Sequence, residues 1–162
     1  MSLVSRSGWL AYGVALAVIL LDQILKAWIV GGLHLTAGMP LDIWGPFRLN
    51  LVENRGVSFG LLQFDAPWTR WVLAAFALIV AVALAAFVRR AEKPLTGLAF
   101  GLIIGGAVGN LLDRVNHGAV VDFLDVQALR FPWVFNLADS AITVGIMLLM
   151  AESLFAPKKA PA

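Results

Sequence analysis

The sequence contains no cysteine, so disulfide bonds, thiol catalysis and thiolate metal sites are all excluded. It has only two histidines, which argues against a histidine-rich metal centre. Charged residues make up 14% of the chain and hydrophobic residues 60%, whereas a soluble domain carries about 25% charged and roughly 45–50% apolar residues. No stripe of lysine and arginine indicates a nucleic-acid partner. The mean hydropathy of +0.87 instead predicts an integral membrane protein.

Four apolar runs are each long enough to be a transmembrane helix, because about 20 apolar residues cross a hydrocarbon core of roughly 30 Å. We therefore predict a mainly α-helical protein that forms one membrane-embedded domain over residues 1–162. The predicted spans are about 9–33, 71–88, 95–112 and 137–155.

The stretch between the first two spans, about 34–67, has a different pattern. Prolines and glycines interrupt it, and apolar and polar residues alternate with the period of a β-strand. We predict a small extracytoplasmic β-sheet with strands near 41–44 and 47–53. Residues 57–62 are apolar enough to form a short interfacial helix in this first outer loop.

The distribution of basic residues predicts the orientation of the spans. The positive-inside rule places the basic turn 89–93, Arg6 and the pair Lys158-Lys159 in the cytoplasm. Both termini are then cytoplasmic, because the predicted spans are even in number. The sheet and the 114–136 loop are extracytoplasmic.

Polar residues in the first and third spans fall on defined helix faces. Asp22 and Lys26 are four residues apart, so they can form a structural ion pair, with substrate binding as the alternative. In the third span, a row of glycines forms a packing face that leads to Asp113, for which Lys26 is a candidate partner. Asn110 and Arg114 share a separate face, free to point at a site. The glycines of the row are Gly97, Gly101, Gly105 and Gly109.

The polar stretch from Gly109 to Ser140 contains four aspartates, which are Asp113, Asp122, Asp125 and Asp139. Without cysteine or an activated histidine, the available chemistry is that of carboxylates, two of which can share a proton and activate water. Asp139 starts the fourth span, where Asn136 can cap the helix and the helix N-terminus favours an ionised carboxylate. Asp139 could equally be a capping residue and nothing more. If it belongs to a pair, these arguments leave its partner open among the other three aspartates.

Six short segments, in this order and at this spacing, resemble the lipoprotein signal peptidases, the type II signal peptidases of bacteria. The resemblance extends over most of the chain, and it departs from the family pattern in VENRGVSFG, where alanines are more usual. The segments are LDQILK (21–26), VENRGVSFG (52–60), GGAVGN (105–110), LLDR (111–114), GAVVDF (118–123) and FNLADSAI (135–142).

The resemblance implies an aspartic endopeptidase whose catalytic pair falls on Asp122 and Asp139. It implies that the enzyme removes the signal peptide from diacylglyceryl-modified prolipoproteins by cutting before the lipidated cysteine, and that globomycin inhibits it. Further positions that match the family motifs are Asn54, Asn110, Arg114 and Asn136 as substrate-contacting or dyad-supporting groups, and Asp22, Lys26 and Asp113 as structural polar groups.

The same resemblance implies a monomer in the bacterial inner membrane, with its active site at the extracytoplasmic surface. Its partners are then lipid-modified prolipoprotein signal peptides and membrane lipid, with no nucleic acid, metal or cofactor. The competing hypothesis is a membrane transporter or proton relay that uses Asp22, Lys26 and the aspartates. Against it, the third and fourth spans keep their charges at their ends, and no internal repeat is visible.

Overall fold

The computed structural model describes residues 3–56 and 68–155. Within them, four helices are long and apolar enough to cross a membrane, and four short strands form one sheet. The helices are α1 (Arg6–Ala27, extended by a π-helical turn at Trp28–Gly32), α2 (Thr69–Val88), α3 (Pro94–Asn116) and α4 (Leu137–Phe155). The strands are β1 (Leu41–Trp44), β2 (Phe47–Asn54), β3 (Val120–Asp125) and β4 (Val134–Phe135), with a 3-10 turn at Gln127–Leu129.

The predicted fold class is confirmed, since the described chain is mainly helical with four candidate spans and a small sheet. Two boundaries differ from the prediction. The third helix continues to Asn116 instead of ending near residue 112, so the polar LLDR segment is helical. The predicted 114–136 loop contains β3 and β4, which complete the sheet. The predicted interfacial helix at 57–62 and the Lys158-Lys159 pair lie outside the described residues.

Local capping groups fix where the helices begin. Ser5 caps α1, because its side-chain oxygen accepts a hydrogen bond from the Gly8 amide at 3.0 Å. Pro94 occupies the first turn of α3, where its missing N–H costs no hydrogen bond. Asn136 caps α4 by accepting from the Asp139 amide at 2.8 Å, as the sequence predicts.

Helix α3 is the centre of the bundle and packs against the other three helices. Its predicted glycine face is confirmed as the contact with α1. A Cβ atom at Gly101 would lie 2.6 Å from the carbonyl oxygen of Ala11, and one at Gly105 would lie 2.8 Å from that of Ala15. Only glycine allows the two backbones to approach so closely. This contact holds the polar end of α3 next to that of α1.

The sheet has the strand order β1-β2-β3-β4, with all neighbours antiparallel. Strand β3 pairs with β2 so that Asp122 lies opposite Val52, two residues before the end of β2 at Asn54. The pairing places Val120 opposite Asn54, at the end of β2. A buried cluster of Ile29, Leu49 and Phe123 attaches the sheet to the end of α1. The sheet therefore covers the end of the bundle where the polar residues lie.

We expect Gly101→Val to destabilise the protein in detergent by about 1–3 kcal/mol, because the added methyl groups would overlap the α1 backbone. Gly13→Val is the matched control, since nothing lies within 4 Å of a Cβ at this exposed helical position. Thermal unfolding of the two variants measures the difference. Equal stability of the two variants would contradict the close α1–α3 contact.

Candidate active site

Asp122 lies on β3 with only 1% of its surface exposed. Both of its carboxylate oxygens accept hydrogen bonds from asparagine amides. Asn54 donates to Oδ2 at 3.0 Å, and Asn136 donates to Oδ1 at 2.7 Å. The strand and the start of α4 thus meet at this carboxyl group.

Asp139 lies in the first turn of α4 and is buried. Its Oδ1 accepts a hydrogen bond from Asn110 Nδ2 at 2.8 Å. Its backbone amide donates to the capping oxygen of Asn136. The aligned peptide dipoles at this helix N-terminus favour the negative form of the carboxylate.

Two asparagine side chains connect the two carboxyl groups. Asn136 Nδ2 donates to Asp122 and also lies 3.1 Å from Asn110 Oδ1, while Asn110 Nδ2 donates to Asp139. The path Asp122–Asn136–Asn110–Asp139 is therefore continuous through hydrogen bonds between side chains. This arrangement brings together four of the residues singled out by the sequence, from β3, α3 and the start of α4.

Burial and the neighbouring charge together raise the pKa of Asp122 to about 7. Desolvation is the larger cause, and electrostatic repulsion by Asp139 is the second. The hydrogen bonds from Asn54 and Asn136 and the charge of Lys26 oppose the shift. Asp122 can therefore hold a proton near neutral pH, which an ordinary exposed aspartate does not.

The predicted pairing of Asp22, Lys26 and Asp113 is confirmed. Lys26 Nζ lies 2.7 Å from Asp22 Oδ2 and 2.8 Å from Asp113 Oδ2, and all three side chains are buried. Asp22 Oδ1 also accepts from the Ala138 amide at 3.0 Å, so a residue of α1 provides a second cap for α4. Asp113 accepts from the Val121 amide at 3.1 Å, next to Asp122.

Arg114 is buried, and its guanidinium group donates hydrogen bonds to two backbone carbonyl oxygens. Its Nη2 donates to the carbonyl oxygen of Gly56 at 3.0 Å, and its Nη1 donates to that of Asn110 at 3.3 Å. Asn54 Oδ1 accepts from the Gly56 amide at 3.0 Å. Arg114 and Asn54 thus both bind the backbone of Gly56, the second residue after β2.

Asp125 makes different contacts. Its Oδ2 lies 2.9 Å from Arg48 Nη2, and its Oδ1 accepts from the Gln127 amide at 2.9 Å. Three aspartates were possible partners for Asp139. Of these, Asp113 is bonded to Lys26 and Asp125 to Arg48. Asp122 is the one bonded to the asparagine that caps α4.

Gln23 is a polar residue of the site that was not predicted from the sequence. Its Nε2 donates to Asp113 Oδ1 at 2.9 Å and lies 3.3 Å from both the Gly109 carbonyl oxygen and Asp22 Oδ2. Its position inside the LDQILK segment, next to Asp22, was the available signal. In residues 3–56 and 68–155, no group of three or more histidine, aspartate or glutamate side chains could hold a metal ion.

Four apolar helices beneath a small sheet define a multi-pass membrane protein, and its two buried, amide-linked aspartates fit the chemistry of an aspartic peptidase. A family model described as signal peptidase (SPase) II matches residues 14–155. The chain therefore belongs to the signal peptidase II family, and it is a hydrolase.

Two relatives named lipoprotein signal peptidase illustrate the similarity. The one from Caulobacter vibrioides is 51% identical over 151 residues, which cover 93% of this chain and 89% of the relative. The one from Methylorubrum extorquens is 42% identical over 159 residues, which cover 97% and 91%.

Two solved structures have a similar fold over almost the whole chain. A bacterial membrane enzyme structure obtained by the in meso method at 2.3 Å has a TM-score of 0.79 and 25% identity, covering 100% of this chain and 99% of that chain. A second, at 1.9 Å, has a TM-score of 0.77 and 26% identity, covering 97% and 99%.

We expect Asn136→Ala to lose both the α4 cap, worth about 1 kcal/mol, and the amide donor to Asp122. Asn136→Ser separates these effects, because a serine oxygen can cap the helix but cannot also reach Asp122. Thermal unfolding should place the serine variant nearer to the wild type, whereas peptidase activity should fall in both. Full activity in the serine variant would contradict the importance of the donor to Asp122.

Proposed function

We propose that this protein removes the signal peptide from diacylglyceryl-modified prolipoproteins by cutting before the lipidated cysteine, with Asp122 and Asp139 as its catalytic pair. The observation that carries the assignment is the linkage of these two buried carboxyl groups through Asn136 and Asn110. The names of the relatives and the motif resemblance support the substrate class.

The two carboxyl groups have different roles in the proposed reaction. Asp122 carries the shared proton at rest, because its pKa is raised to about 7. Asp139 is ionised, because it accepts from Asn110 and lies at a helix N-terminus. This division of roles is the arrangement that general acid and base catalysis by two carboxyl groups requires.

In the first step, Asp139 removes a proton from a water molecule as the water oxygen attacks the scissile carbonyl carbon. Asp122 donates its proton to the carbonyl oxygen, which gives a neutral tetrahedral diol. In the second step, Asp139 protonates the leaving nitrogen as the C–N bond breaks. One hydroxyl of the diol returns a proton to Asp122 and becomes the carbonyl oxygen of the new carboxyl group. Both aspartates then regain their starting protonation states.

The remaining motif residues support this pair. Asn54 and Asn136 hold the Asp122 carboxyl group through their amides, and Asn110 holds that of Asp139. Arg114 donates to the carbonyl oxygen of Gly56 and so fixes the backbone just after Asn54. Holding reacting groups in place in this way can contribute several kcal/mol to catalysis.

The proposed site lies at the extracytoplasmic surface of the bacterial inner membrane, with both termini in the cytoplasm. Helix α3 supports this orientation, because it starts just after the basic turn 89–93 and carries Asp113 and Arg114 near its other end, beside the site. The positive-inside rule keeps that turn in the cytoplasm. We propose one domain that acts as a monomer from within membrane lipid, requires no cofactor or metal, and is inhibited by globomycin.

We expect Asp122→Asn and Asp139→Asn each to reduce cleavage of a lipidated prolipoprotein in detergent by at least about 10³-fold, because each removes one proton-transfer group. Asp125→Asn is the control, since it is equally buried on the same strand but bonded to Arg48. This variant should retain most of the activity. Full cleavage by either of the first two variants would refute the catalytic pair.

The assay contains no ion gradient, so cleavage by the unmodified protein also argues against the transporter hypothesis.

The proton on Asp122 predicts the pH dependence of cleavage. Because its pKa is raised to about 7, the proposed acid is protonated below that pH and loses its proton above it. The kcat/KM of the detergent-solubilised enzyme should therefore fall as the pH rises through about 7. An activity that stays constant well above pH 7 would show that Asp122 is not the proton donor.

A further inference from the structure

The ammonium group of Lys26 makes three contacts, of which the ion pairs with Asp22 and Asp113 are two. The third is a hydrogen bond to Asn110 Oδ1 at 3.2 Å. A lysine ammonium has three N–H donors and no acceptor, so these contacts use all of its donors. Lys26 is therefore connected to the proposed catalytic pair as well as to the two aspartates that neutralise it.

The side-chain amide of Asn110 must have a definite orientation to hold Asp139. Its two ends have nearly the same shape, but one end only donates and the other only accepts hydrogen bonds. The oxygen faces two donors, Lys26 Nζ and Asn136 Nδ2, and the nitrogen faces the Asp139 carboxylate. The reversed amide would place its NH₂ group against both donors and its oxygen against a carboxylate.

We propose that Lys26 is a positioning residue for peptide hydrolysis, because its bond to Asn110 holds that amide in the orientation that donates to Asp139. The inference rests on the proposed catalytic pair. The two asparagines differ in how they are held. The backbone amide of Asp139 bonds to the oxygen of Asn136 and so fixes that side chain. The oxygen of Asn110 instead accepts from two side chains, the amide of Asn136 and the ammonium of Lys26. The ammonium is the charged donor of the two, and a bond from a charged donor is the stronger one.

Lys26 also acts on Asp122 through its charge, which is a second connection between this residue and the proposed pair. Three charged groups act on Asp122, which are Asp139 from α4, Lys26 from α1 and Arg114 from α3. The positive charge of Lys26 lowers the pKa of Asp122 and opposes the effects of burial and of Asp139. Loss of Lys26 would therefore move the alkaline limb of the pH profile to higher pH, in addition to releasing the Asn110 amide.

The experiment compares Lys26→Met/Asp113→Asn with Asp113→Asn alone. Removing Lys26 by itself would leave two buried carboxylates without their cation, which is strongly destabilising. The Asp113→Asn background removes one of these charges, and Asp22 keeps its bond to the Ala138 amide. The two variants then differ only at Lys26.

We expect kcat to fall at least about tenfold between these two variants, with little change in KM, since the lost interaction acts on the reacting groups. The alkaline limb should also move to higher pH. Asn110→Ser, combined with each variant, tests the route of the effect. A serine has no amide whose orientation Lys26 could hold, so the loss caused by Lys26→Met should shrink in this background.

An unchanged kcat would overturn the positioning role. So would a loss that is equal with and without Asn110→Ser and leaves the pH profile unmoved. Circular dichroism and thermal unfolding establish that both variants are folded. If the methionine variant is not folded, Lys26→Gln replaces it, because its amide keeps a donor while removing the charge. Because the glutamine amide can still donate to Asn110, that variant should keep the kcat of Asp113→Asn, and a fall of about tenfold or more overturns the proposal. Failure of the catalytic pair itself would be seen separately, as activity in Asp122→Asn or Asp139→Asn.

Discussion

Asn136 caps α4 through its amide oxygen and donates from its amide nitrogen to Asp122. This one side chain joins the helix that carries Asp139 to the strand that carries Asp122. It is fully buried, so each of its polar atoms needs a partner, and the required partners are those that define the site. The cap of α4 and the position of the Asp122 carboxyl group therefore depend on the same side chain. A change in the start of α4 would move both carboxyl groups.

A second constraint is the cost of burying charge beside the hydrocarbon core. Asp22, Lys26 and Asp113 neutralise one another only in part, because two carboxylates face one ammonium. Gln23 donates to the remaining oxygen of Asp113. The backbone amides of Ala138 and Val121 donate to Asp22 Oδ1 and to Asp113 Oδ2, the second of which also faces Lys26. These two amides belong to the residues just before Asp139 and Asp122. The ion-pair cluster thus fixes the backbone under both proposed catalytic groups, which gives costly charges a structural use.

The helical part of this architecture could be predicted from the sequence because it depends on short-range patterns. Spans follow from the length of apolar runs, and the packing face of α3 follows from glycines that recur every four residues. The Asp22–Lys26 pair and the Asn136 cap likewise join residues within one helical turn. In each case, the spacing along a single helix determines which residues lie on the same face.

The sheet was predicted only in its first half, because the pairing of β2 with β3 joins distant parts of the chain, as in the Asn54–Asp122 bond across 68 positions. No local pattern sets that register, and a shift of one residue would turn Asp122 away from Asn54 and Asn136. The composition and motifs of the sequence determined the membrane class and the helices, and they singled out Asp139 as a candidate. The tertiary structure decided which aspartate is linked to Asp139 through asparagines. Strand pairing places Asp122 beside Asn54, whereas Asp113 pairs with Lys26 of another helix and Asp125 with Arg48 of another strand, and these contacts join distant parts of the chain.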